Sequence, residues 1–453
     1  MAMSDLAGLA TAVEAGGLRI LFASVAADGH FNPLTGIAVH LKEAGHDVRW
    51  YTGPGYARKL ERLGIPHFPF QRATDINGEN IAELFPERAK LKGPALIRFD
   101  GEKVFVSNTE KYFEDVREID AEFPFDLLVC DAAFSAVRLV KEKLHKRVAA
   151  VSPAPSLESG DDVPPNFVGF RPARTPIGRL VHRGMRAAMD RMVTSGSTAI
   201  YNGMLAAHGV APIKWSFIDD FFRSPDVVFL SGVPGFDWHR RDPNPKAKFV
   251  GALLPHRAAV TDAFSQPEGL GTYERVILIS QGTVDNRDPG KLITPALDAL
   301  KDSGALLIVG TGGSQTEELR RSYPQENVII EDYVDFASIL ERADLFICNG
   351  GYGSVLLSLS KGVPLLVAGV REGKNDINAR VDYFGVGIDL RTERPKAEAI
   401  RGATARLLGD PTFKQNAGRL RDEFSRYRPN ELIDAHLAGM FPQRAGSRAV
   451  SPG

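Results

Sequence analysis

The chain has 453 residues, which is too long for one small domain and predicts two domains of roughly 200 residues each. Its formal net charge of −1 shows no basic excess, so the composition does not indicate a nucleic-acid-binding protein. No apolar run approaches the roughly 20 residues of a membrane-spanning helix, and Cys130 and Cys348 both end apolar runs, as buried reduced thiols of a cytoplasmic protein do.

Apolar strand-like runs alternate with amphipathic helical runs, which is typical of parallel sheets joined by crossover helices. The first half contains LRILFAS, DVRWYT, PHFPF, DLLVCD and RVAAVSP, and the second half contains RVILISQGT, ALLIVGTGG, NVIIEDYV, DLFICNGG and VPLLVAG. These runs are almost continuously apolar, so we expect both faces of each sheet to be covered. The pattern predicts an α/β protein with two Rossmann-like, doubly wound parallel-sheet domains that face a central cleft.

The composition also predicts segment borders, which in chain order give 1–17, 18–235, 236–272, 273–410, 411–442 and 443–453. In turn these are a flexible N-terminus, an N-terminal domain, a Pro- and Gly-rich linker, a C-terminal domain, closing helices and a flexible tail. The first segment has no basic residues before its apolar ones and makes a poor secretion signal. We expect the closing helices to pack back on the N-terminal domain.

The first loop with candidate chemistry is AADGHFNPL, which joins the first strand to its helix. The pattern predicts Asn32 as the helix N-cap and Pro33 as the first helical residue. His30 is then expected on the turn before the helix, at the carboxyl end of the first strand. A loop histidine that hydrogen-bonds the backbone is the alternative, but ligands bind at this edge of a parallel sheet, which favours a functional residue.

The second candidate is Asp131, which ends the run DLLVCD. A carboxylate at the end of a buried strand needs a partner, because an unpaired buried charge costs several kcal/mol. One interpretation is a cap on the following helix. The other is a carboxylate that orients a base, because Asp131 and His30 can meet if their strands are neighbours. Such a pair lets the imidazole accept a proton from a hydroxyl while the carboxylate stabilises the imidazolium.

The third loop is NGGYGS, over 349–354, between a buried strand and a helical run. Backbone N–H groups at a glycine turn, followed by a helix N-terminus, can bind phosphate oxygens. A tight turn packed against the sheet is the alternative. Two further glycine turns, SQGT over 280–283 and VGTGG over 309–313, follow strands of the same half. Three such loops on one sheet edge favour diphosphate binding, although their spacing does not fit a dinucleotide fold.

Together these motifs resemble the inverting GT-B glycosyltransferases of family 1, which include the UDP-glycosyltransferases and the bacterial macrolide and antibiotic glycosyltransferases. NGGYGSVLLSLSKGVPLLV, preceded by EDYVDFASIL and followed by GKNDINARVDYFGVGIDL, is similar to the donor-binding signature of that family. GHFNPL is similar to its N-terminal Gly-His-x-x-Pro turn, and VCDAAF to its strand-end aspartate. The resemblance covers most of 18–430 and is weak over 71–125 and 154–225. It implies a hexosyltransferase that takes a nucleotide sugar.

The resemblance also implies roles for single residues. His30 matches the catalytic base, and Asp131 the acidic partner that orients it. The residues expected to bind the nucleotide sugar are Gly29, Gly282, Thr283, Tyr333, Val334, Asn349, Gly350, Gly351, Tyr352, Gly353, Ser354, Lys374 and Asn375. Among these, Tyr333 matches the residue that stacks on the base, with backbone hydrogen bonds from its neighbour. Lys374 and Asn375 match a pair, usually Asp-Gln, that contacts the sugar hydroxyls.

Two departures from the family pattern affect the donor. Asn349 stands where the family usually has histidine, and its amide can donate to a phosphate oxygen but brings no positive charge. Leu357 stands where a glutamate commonly binds the ribose hydroxyls, and a leucine cannot make those bonds. A UDP-sugar is the expected donor, and a dTDP-sugar, which lacks one ribose hydroxyl, is the alternative. The identity of the sugar stays open.

The resemblance places the acceptor pocket in the irregular parts of the N-terminal domain. The residues expected to contact the acceptor are Phe85, Phe99, Phe105 and Phe167. Aromatic side chains suit a flat or apolar small molecule, such as a polyphenol, terpenoid, macrolide or sterol. The alternative is that these phenylalanines complete the N-terminal core.

The expected reaction is one in-line displacement of the nucleotide diphosphate by an acceptor hydroxyl. No carboxylate pair with metal-ligand spacing lies near the glycine loop, so we expect no metal and no cofactor. The expected partners are the donor and a small-molecule acceptor, and the expected assembly is a monomer or weak homodimer of a bacterial protein. Two alternatives stay open: a sugar-nucleotide 2-epimerase of the same architecture, and a non-catalytic partner protein, which the residues at Asn349 and Leu357 suggest.

Overall fold

The computed structural model of the chain describes residues 17–256, 271–282 and 287–442. The strands are β1 (Arg19–Ala23), β2 (Asp47–Thr52), β3 (His67–Pro69), β4 (Leu127–Asp131), β5 (Arg147–Ser152), β6 (Val227–Ser231), β7 (Ala247–Gly251), β8 (Val276–Ser280), β9 (Leu306–Gly310), β10 (Val328–Glu331), β11 (Leu345–Cys348), β12 (Leu365–Val367) and β13 (Gly387–Asp389). The helices are α1 (Asp28–Glu43), α2 (Ala57–Leu63), α3 (Ile81–Leu84), α4 (Gly93–Phe99), α5 (Thr109–Glu122), α6 (Val137–Leu144), α7 (Pro176–Met189), α8 (Ser195–Ala207), α9 (Phe217–Arg223), α10 (Ile293–Leu300), α11 (Thr316–Ser322), α12 (Phe336–Leu340), α13 (Tyr352–Ser360), α14 (Lys374–Tyr383), α15 (Ala397–Gly409), α16 (Pro411–Phe424) and α17 (Pro429–Met440).

The strands form two separate sheets. The first has the order β3-β2-β1-β4-β5-β6-β7, and the second has the order β10-β9-β8-β11-β12-β13. Neighbouring strands pair in parallel throughout both sheets of the described chain. In each sheet the chain starts at an inner strand, winds to one edge, and then returns to wind toward the other edge. This doubly wound order confirms the predicted α/β architecture and brings β1 beside β4 and β8 beside β11.

Each sheet is buried on both faces, as the continuous apolar strands predict. In β1, Ile20 and Phe22 belong to one core, and Leu21 and Ala23 belong to another on the opposite face. All four side chains are inaccessible to solvent. The alternation follows from the two-residue period of a strand, and it leaves only the strand ends for polar side chains.

The border between the two domains is less simple than a linker over 236–272. Val233 and Phe236 pack in a core of the second sheet, whereas β7, inside the predicted linker, extends the first sheet. The closing helices also divide. Phe424 of α16 packs with the second sheet, and Ile433 of α17 packs in a core of the first. The termini over 1–16 and 443–453 lie outside the described residues.

Helix α1 begins earlier than the sequence indicated. We predicted Asn32 as the N-cap and Pro33 as the first helical residue, but α1 begins at Asp28 and contains Pro33 in its interior. His30 therefore lies in the first turn of the helix and not on a preceding loop. A proline inside a helix removes one main-chain hydrogen bond. The complete burial of Phe31 favours this additional turn despite that loss.

Two further expectations concern the chain as a whole. Cys130 and Cys348 are both buried and form no disulfide, as predicted. None of the helices among the described residues is both long enough and apolar enough to cross a bilayer.

Candidate active site

The first candidate pair lies at the carboxyl edge of the first sheet. Nδ1 of His30 is 2.9 Å from Oδ1 of Asp131. The two residues come from adjacent strands, because His30 follows β1 and Asp131 ends β4. The carboxylate is inaccessible to solvent, whereas the imidazole is 29% exposed. The structure therefore brings together the two residues that the sequence suggested could meet.

The surroundings of Asp131 orient the imidazole. Its Oδ2 accepts a hydrogen bond from the backbone N–H of Val25 at 2.8 Å, and its Oδ1 accepts one from Ala133 at 2.9 Å. A carboxylate held by two amides can only accept, so in this pair Nδ1 of neutral His30 carries the proton. Within the described residues Nε2 of His30 has no hydrogen-bond partner. A Cβ at Gly29 would meet no atom within 4 Å, so open space borders this turn.

The second functional element is the beginning of α13, at the carboxyl edge of the second sheet. Gly351 is its N-cap and supplies no side-chain hydrogen bond to the helix. The first helical bond runs from the N–H of Val355 to the carbonyl of Gly351. In the described chain, the N–H groups of Tyr352, Gly353 and Ser354 have no protein partner. Three unsatisfied amides at the positive end of a helix dipole are suited to bind an anion.

The other predicted amides of this loop are already used. The N–H of Gly350 donates a hydrogen bond to the sulfur of Cys348. This hydrogen bond lowers the pKa of the thiol, but burial has the larger effect and raises that pKa to about 12. The N–H of Gly351 donates to Oδ1 of Asn349 at 3.2 Å. The amides of this loop that remain able to bind an anion are thus those of 352–354, a shorter set than the sequence indicated.

Asn349 connects two glycine loops and does not point a free amide into the cleft. Its Nδ2 donates to the carbonyl of Gln281 at 2.5 Å, while its Oδ1 accepts from Gly351. The side chain is 8% exposed. We expected this amide to donate to a phosphate oxygen. The structure instead uses it to hold the loop after β8 against the loop after β11.

The glycine loops after β8 and β9 follow neighbouring strands of this edge but offer fewer amides than expected. The N–H groups of Gly312 and Gly313 donate to the carbonyl of Asp332 and to Oγ1 of Thr311, at 2.7 and 3.2 Å. The N–H of Gly282 lies 3.3 Å from the Ser280 hydroxyl. These two loops therefore shape the backbone at this edge of the sheet, and these N–H groups are already engaged within the protein. The remaining residue predicted here, Thr283, lies outside the described residues.

Tyr333 and Val334 follow β10, next to the glycine loop after β9. The Tyr333 side chain is 49% exposed, and its hydroxyl would lie 3.5 Å from a Cβ at Gly313. The loop after β9 therefore lies directly beside the tyrosine ring. Val334 packs against the core of the second sheet. The exposed ring is placed where a planar base could contact it.

Lys374 and Asn375 open α14, and the structure separates their environments. Nζ of Lys374 pairs with Oε2 of Glu372 at 2.9 Å. The lysine is close enough to Cys348 to lower the pKa of its thiol, which places a positive charge near the glycine loop. The side chain of Asn375 is used elsewhere, because its Nδ2 donates to the carbonyl of Phe167 at 2.7 Å.

At two other positions near the glycine loop, the side chains do not form hydrogen bonds that a nucleotide could use. The ring of Tyr352 is buried, and its hydroxyl donates to the carbonyl of Ser231 at 2.9 Å, so only its backbone faces the loop. Leu357 packs against the core of the second sheet. The Tyr352 hydroxyl is thus already bonded, and the partly buried Leu357 offers a nucleotide no hydrogen bond. Among the described residues no cluster of three or more His, Cys, Asp or Glu could hold a metal ion.

The phenylalanines expected at the acceptor site are all partly exposed. Phe85 and Phe99 form an edge-to-face pair with ring centroids 5.6 Å apart. Phe105 packs against a core of the first sheet. Phe167 lines a small cavity and lies on a loop that reaches the second domain. The structure therefore leaves three of the four at surfaces that a ligand could reach, and gives Phe105 a mainly packing role.

Sequence reasoning missed Asp376, the third residue of α14. Its carboxylate accepts hydrogen bonds from the backbone of Phe167 and Gly169 in the other domain. A carboxylate in the first turn of a helix is usually read as a cap or a dipole effect. No local pattern shows that its partners lie 207 and 209 residues away.

Comparison with known proteins identifies similar sequences. Residues 295–438 match the family described as the erythromycin biosynthesis protein CIII-like C-terminal domain. The chain is 32% identical over 412 residues to 4'-demethylrebeccamycin synthase of Lentzea aerocolonigenes, a match that covers 90% of this chain and 96% of that protein. It is 25% identical over 428 residues to UDP-glycosyltransferase 2 of Phaeomoniella chlamydospora, covering 90% of this chain and 92% of that one.

Solved structures show the same fold. CalG4, the calicheamicin glycosyltransferase, superposes with a TM-score of 0.71 at 19% identity, over 95% of this chain and 100% of that one. The spinosyn rhamnosyltransferase SpnG complexed with thymidine diphosphate superposes with a TM-score of 0.65 at 17% identity, over 93% of this chain and 100% of that one. These likenesses establish the two-domain GT-B fold.

Proposed function

Because the chain belongs to the family 1 GT-B glycosyltransferases of the macrolide and antibiotic type, we propose that it moves a hexose from a nucleoside diphosphate sugar to a hydroxyl of a small natural product. The acceptor is largely apolar or aromatic, in keeping with the partly exposed Phe85, Phe99 and Phe167. The reaction inverts the anomeric carbon.

The observation that carries this proposal is the 2.9 Å contact between His30 and Asp131 at the carboxyl edge of the first sheet. Nε2 of His30 takes the proton of the acceptor hydroxyl while that oxygen attacks the anomeric carbon. The new carbon–oxygen bond forms as the bond to the diphosphate breaks. Asp131 keeps Nδ1 protonated and stabilises the imidazolium that forms. General-base catalysis of this type contributes roughly a hundred- to ten-thousand-fold in rate.

The leaving group gathers negative charge as the glycosidic bond breaks. The amides of 352–354 and the N-terminal end of α13 are fixed before the reaction, so they stabilise this charge without reorganisation. The Lys374 ammonium, which pairs with Glu372, also lies close to this loop. No step of this scheme requires a metal ion or a cofactor, so transfer should continue when divalent cations are chelated.

We propose a UDP-sugar as the donor, with a dTDP-sugar as the alternative. Several relatives are named UDP-glycosyltransferases or UDP-glucosyltransferases, and one structural neighbour is complexed with thymidine diphosphate. Leu357 offers no acceptor for ribose hydroxyls, which weakens the preference for a ribose over a deoxyribose. Thermal-shift measurements with UDP, dTDP and GDP should show the largest stabilisation for the cognate nucleotide.

The decisive experiment replaces His30 by alanine. His30→Ala should reduce transfer by at least about a hundred-fold because the general base is lost, while the affinity for the nucleotide should change less than about two-fold. His239→Ala, at an exposed histidine, is the matched control and should retain transfer. Equal losses of transfer and nucleotide binding in His30→Ala would contradict the assigned role, as would an epimerised sugar formed from the donor alone.

A further inference from the structure

A loop of the first domain, residues 165–170, lies on the N-terminal end of α14 in the second domain. Asp376 accepts hydrogen bonds from the backbone N–H of Phe167 at 2.5 Å and of Gly169 at 2.7 Å. Asn375 completes the contact by donating to the carbonyl of Phe167 at 2.7 Å. The first turn of α14 therefore accepts hydrogen bonds from two N–H groups of this loop and donates one to a carbonyl of the same loop.

The backbone of the loop is shaped for this contact. Phe167 and Gly169 both have φ values of 67°, in the left-handed region that a residue with a side chain adopts at a cost. A Cβ at Gly169 would lie 3.2 Å from the Cβ and the carbonyl oxygen of Asn375, a tight contact, so the close approach of the two segments favours glycine at this position. The hydrogen bonds to Asp376 compensate the strain at Phe167.

The helix that receives the loop is itself held in place. Arg380, one turn further along α14, donates to the carbonyl of Asp376 at 3.0 Å and to Oδ1 of Asp237 at 2.7 Å. Next to the loop, Arg171 forms an ion pair with Asp382 on the same helix. The carboxylate of Asp376 is thus presented by a rigid element, at a helix end whose dipole favours a negative charge.

The position of this contact relates it to both substrates. Phe167 is one of the aromatic residues expected to contact the acceptor, and Lys374, two residues before Asp376, is expected to contact the donor sugar. Asn375 lies between them, and its amide is already bonded to the loop. Of the pair expected to contact the donor sugar, Asn375 therefore contacts the first domain, and only the side chain of Lys374 stays within the second domain.

We propose that Asp376 is a positioning residue that holds loop 165–170 against the donor domain, so that the loop forms the wall of the acceptor site beside the donor sugar. We call this contact, made by Asp376 and Asn375 with Phe167 and Gly169, the Asp376 clasp. That the loop faces the acceptor substrate and α14 faces the donor sugar rests on the proposed function. The contact between the two segments does not depend on that function.

The first test replaces Asp376 by asparagine. The new amide presents N–H groups to the N–H donors of the loop, so at least one charge-assisted hydrogen bond is lost. We expect the KM for the acceptor to rise about ten-fold or more, with the dissociation constant for the nucleotide unchanged within about two-fold. Asp302→Asn, which makes the same change of charge at an exposed site of the second domain, should alter neither value.

A second readout needs no transfer activity. Arg174 follows the loop and is an exposed trypsin site, whereas Arg171 precedes Pro172 and resists trypsin. Release of the clasp should let the backbone around Arg174 unfold locally more often, which a protease requires for cleavage. We expect limited trypsin digestion to cleave the Asp376→Asn variant after Arg174 at least several-fold faster than the parent or the Asp302→Asn control. Unchanged cleavage together with an unchanged acceptor KM would overturn the clasp.

A third variant perturbs the same contact from the other domain. Gly169→Ala places a methyl group against Asn375 at an unfavourable φ and should reproduce both effects. Because both changes break one contact, the double variant should be little worse than the worse single variant, whereas additive losses would overturn the clasp. If the parent protein shows no transfer at all, the proposed function fails, but the trypsin comparison still decides the clasp.

Discussion

At the scale of single residues, the site depends on which polar atoms the fold already uses. Both oxygens of Asp131 accept backbone N–H groups, so the carboxylate is fixed and His30 can present only Nε2 to a substrate. Both ends of the Asn349 amide are bonded within the second domain. The proposed active site therefore combines one oriented imidazole from the first domain with backbone amides from the second, and polar side chains of the glycine loop contribute mainly to its shape.

Among the glycines of the loop over 349–354, Gly350 is expected to tolerate substitution least. Its φ is 83°, and a Cβ there would lie 1.9 Å from Oδ1 of Asn378, whose side chain is fully buried and cannot withdraw. Gly350→Ala should lower the free energy of unfolding by about 2 kcal/mol or more, measured by urea denaturation. Gly353→Ala is the control, since nothing lies within 4 Å of its Cβ. Equal stability of the two variants would contradict this interpretation.

At the scale of elements, the helices differ in how their first turns are satisfied. Side chains cap a minority of the described helices, among them α12 by Asp335, α16 by Asp410 and α9 by Ser216. Helix α13 begins at a glycine with no side-chain cap, although capping would contribute about 1 kcal/mol. The free N–H groups at the start of α13 lie at the carboxyl edge of the sheet, where a bound anion could accept their hydrogen bonds.

Helix α17 is attached to the first domain through a pH-dependent contact. Nε2 of His40, on α1, lies 2.7 Å from Oδ2 of Asp434, and this hydrogen bond raises the pKa of His40 above 6.5. The stabilisation is complete below pH 6.5 and is lost as the pH rises through the higher pKa of the folded protein.

We therefore expect the Tm to decrease from about pH 6 to about pH 9, and His40→Gln to remove part of that decrease. Differential scanning calorimetry of the parent and the variant at matched ionic strength measures the difference. A parallel decrease in the two proteins would show that the His40–Asp434 contact does not contribute.

At the scale of the whole molecule, the two domains are joined by a buried ion pair as well as by the chain. Arg380 of α14 and Asp237, which lies between β6 and β7 of the first sheet, are 3% and 7% exposed, and their side chains lie 2.7 Å apart. The guanidinium also lies 4.4 Å from the ring centroid of Trp238. Removal of one partner leaves the other charge buried without compensation.

Arg380→Met should therefore reduce the free energy of unfolding by about 3–5 kcal/mol, because the Asp237 carboxylate stays buried alone. Adding Asp237→Asn should recover part of the loss. The control is Arg394→Met, which breaks an exposed ion pair with Asp288 and should cost less than about 1 kcal/mol. Urea denaturation of the three variants measures these values, and a double variant no more stable than Arg380→Met would contradict the electrostatic explanation.

The sequence could predict features that depend on local patterns. Continuous apolar runs indicated the parallel sheets, and the strand-end positions of His30 and Asp131 suggested that the two could meet. The start of α1 was wrong because the burial of Phe31, a tertiary effect, outweighs the local preference of Pro33. The partners of Asn349 and Asp376 could not be predicted, since they lie on distant segments whose approach depends on packing.

The covalent connections between the domains touch each other at one place. After β7 ends at Gly251 the chain enters the second domain, and between α16 and α17 it returns through Tyr427. A Cβ at Gly251 would lie 2.7 Å from Cβ of Tyr427, so the outward and returning segments are in direct contact. Two connections that meet act as a single pivot. Torsions at a few bonds there would move one lobe against the other once the Asp376 clasp and the Arg380–Asp237 pair are broken, and such a displacement increases with distance from the pivot, in proportion to the lever arm.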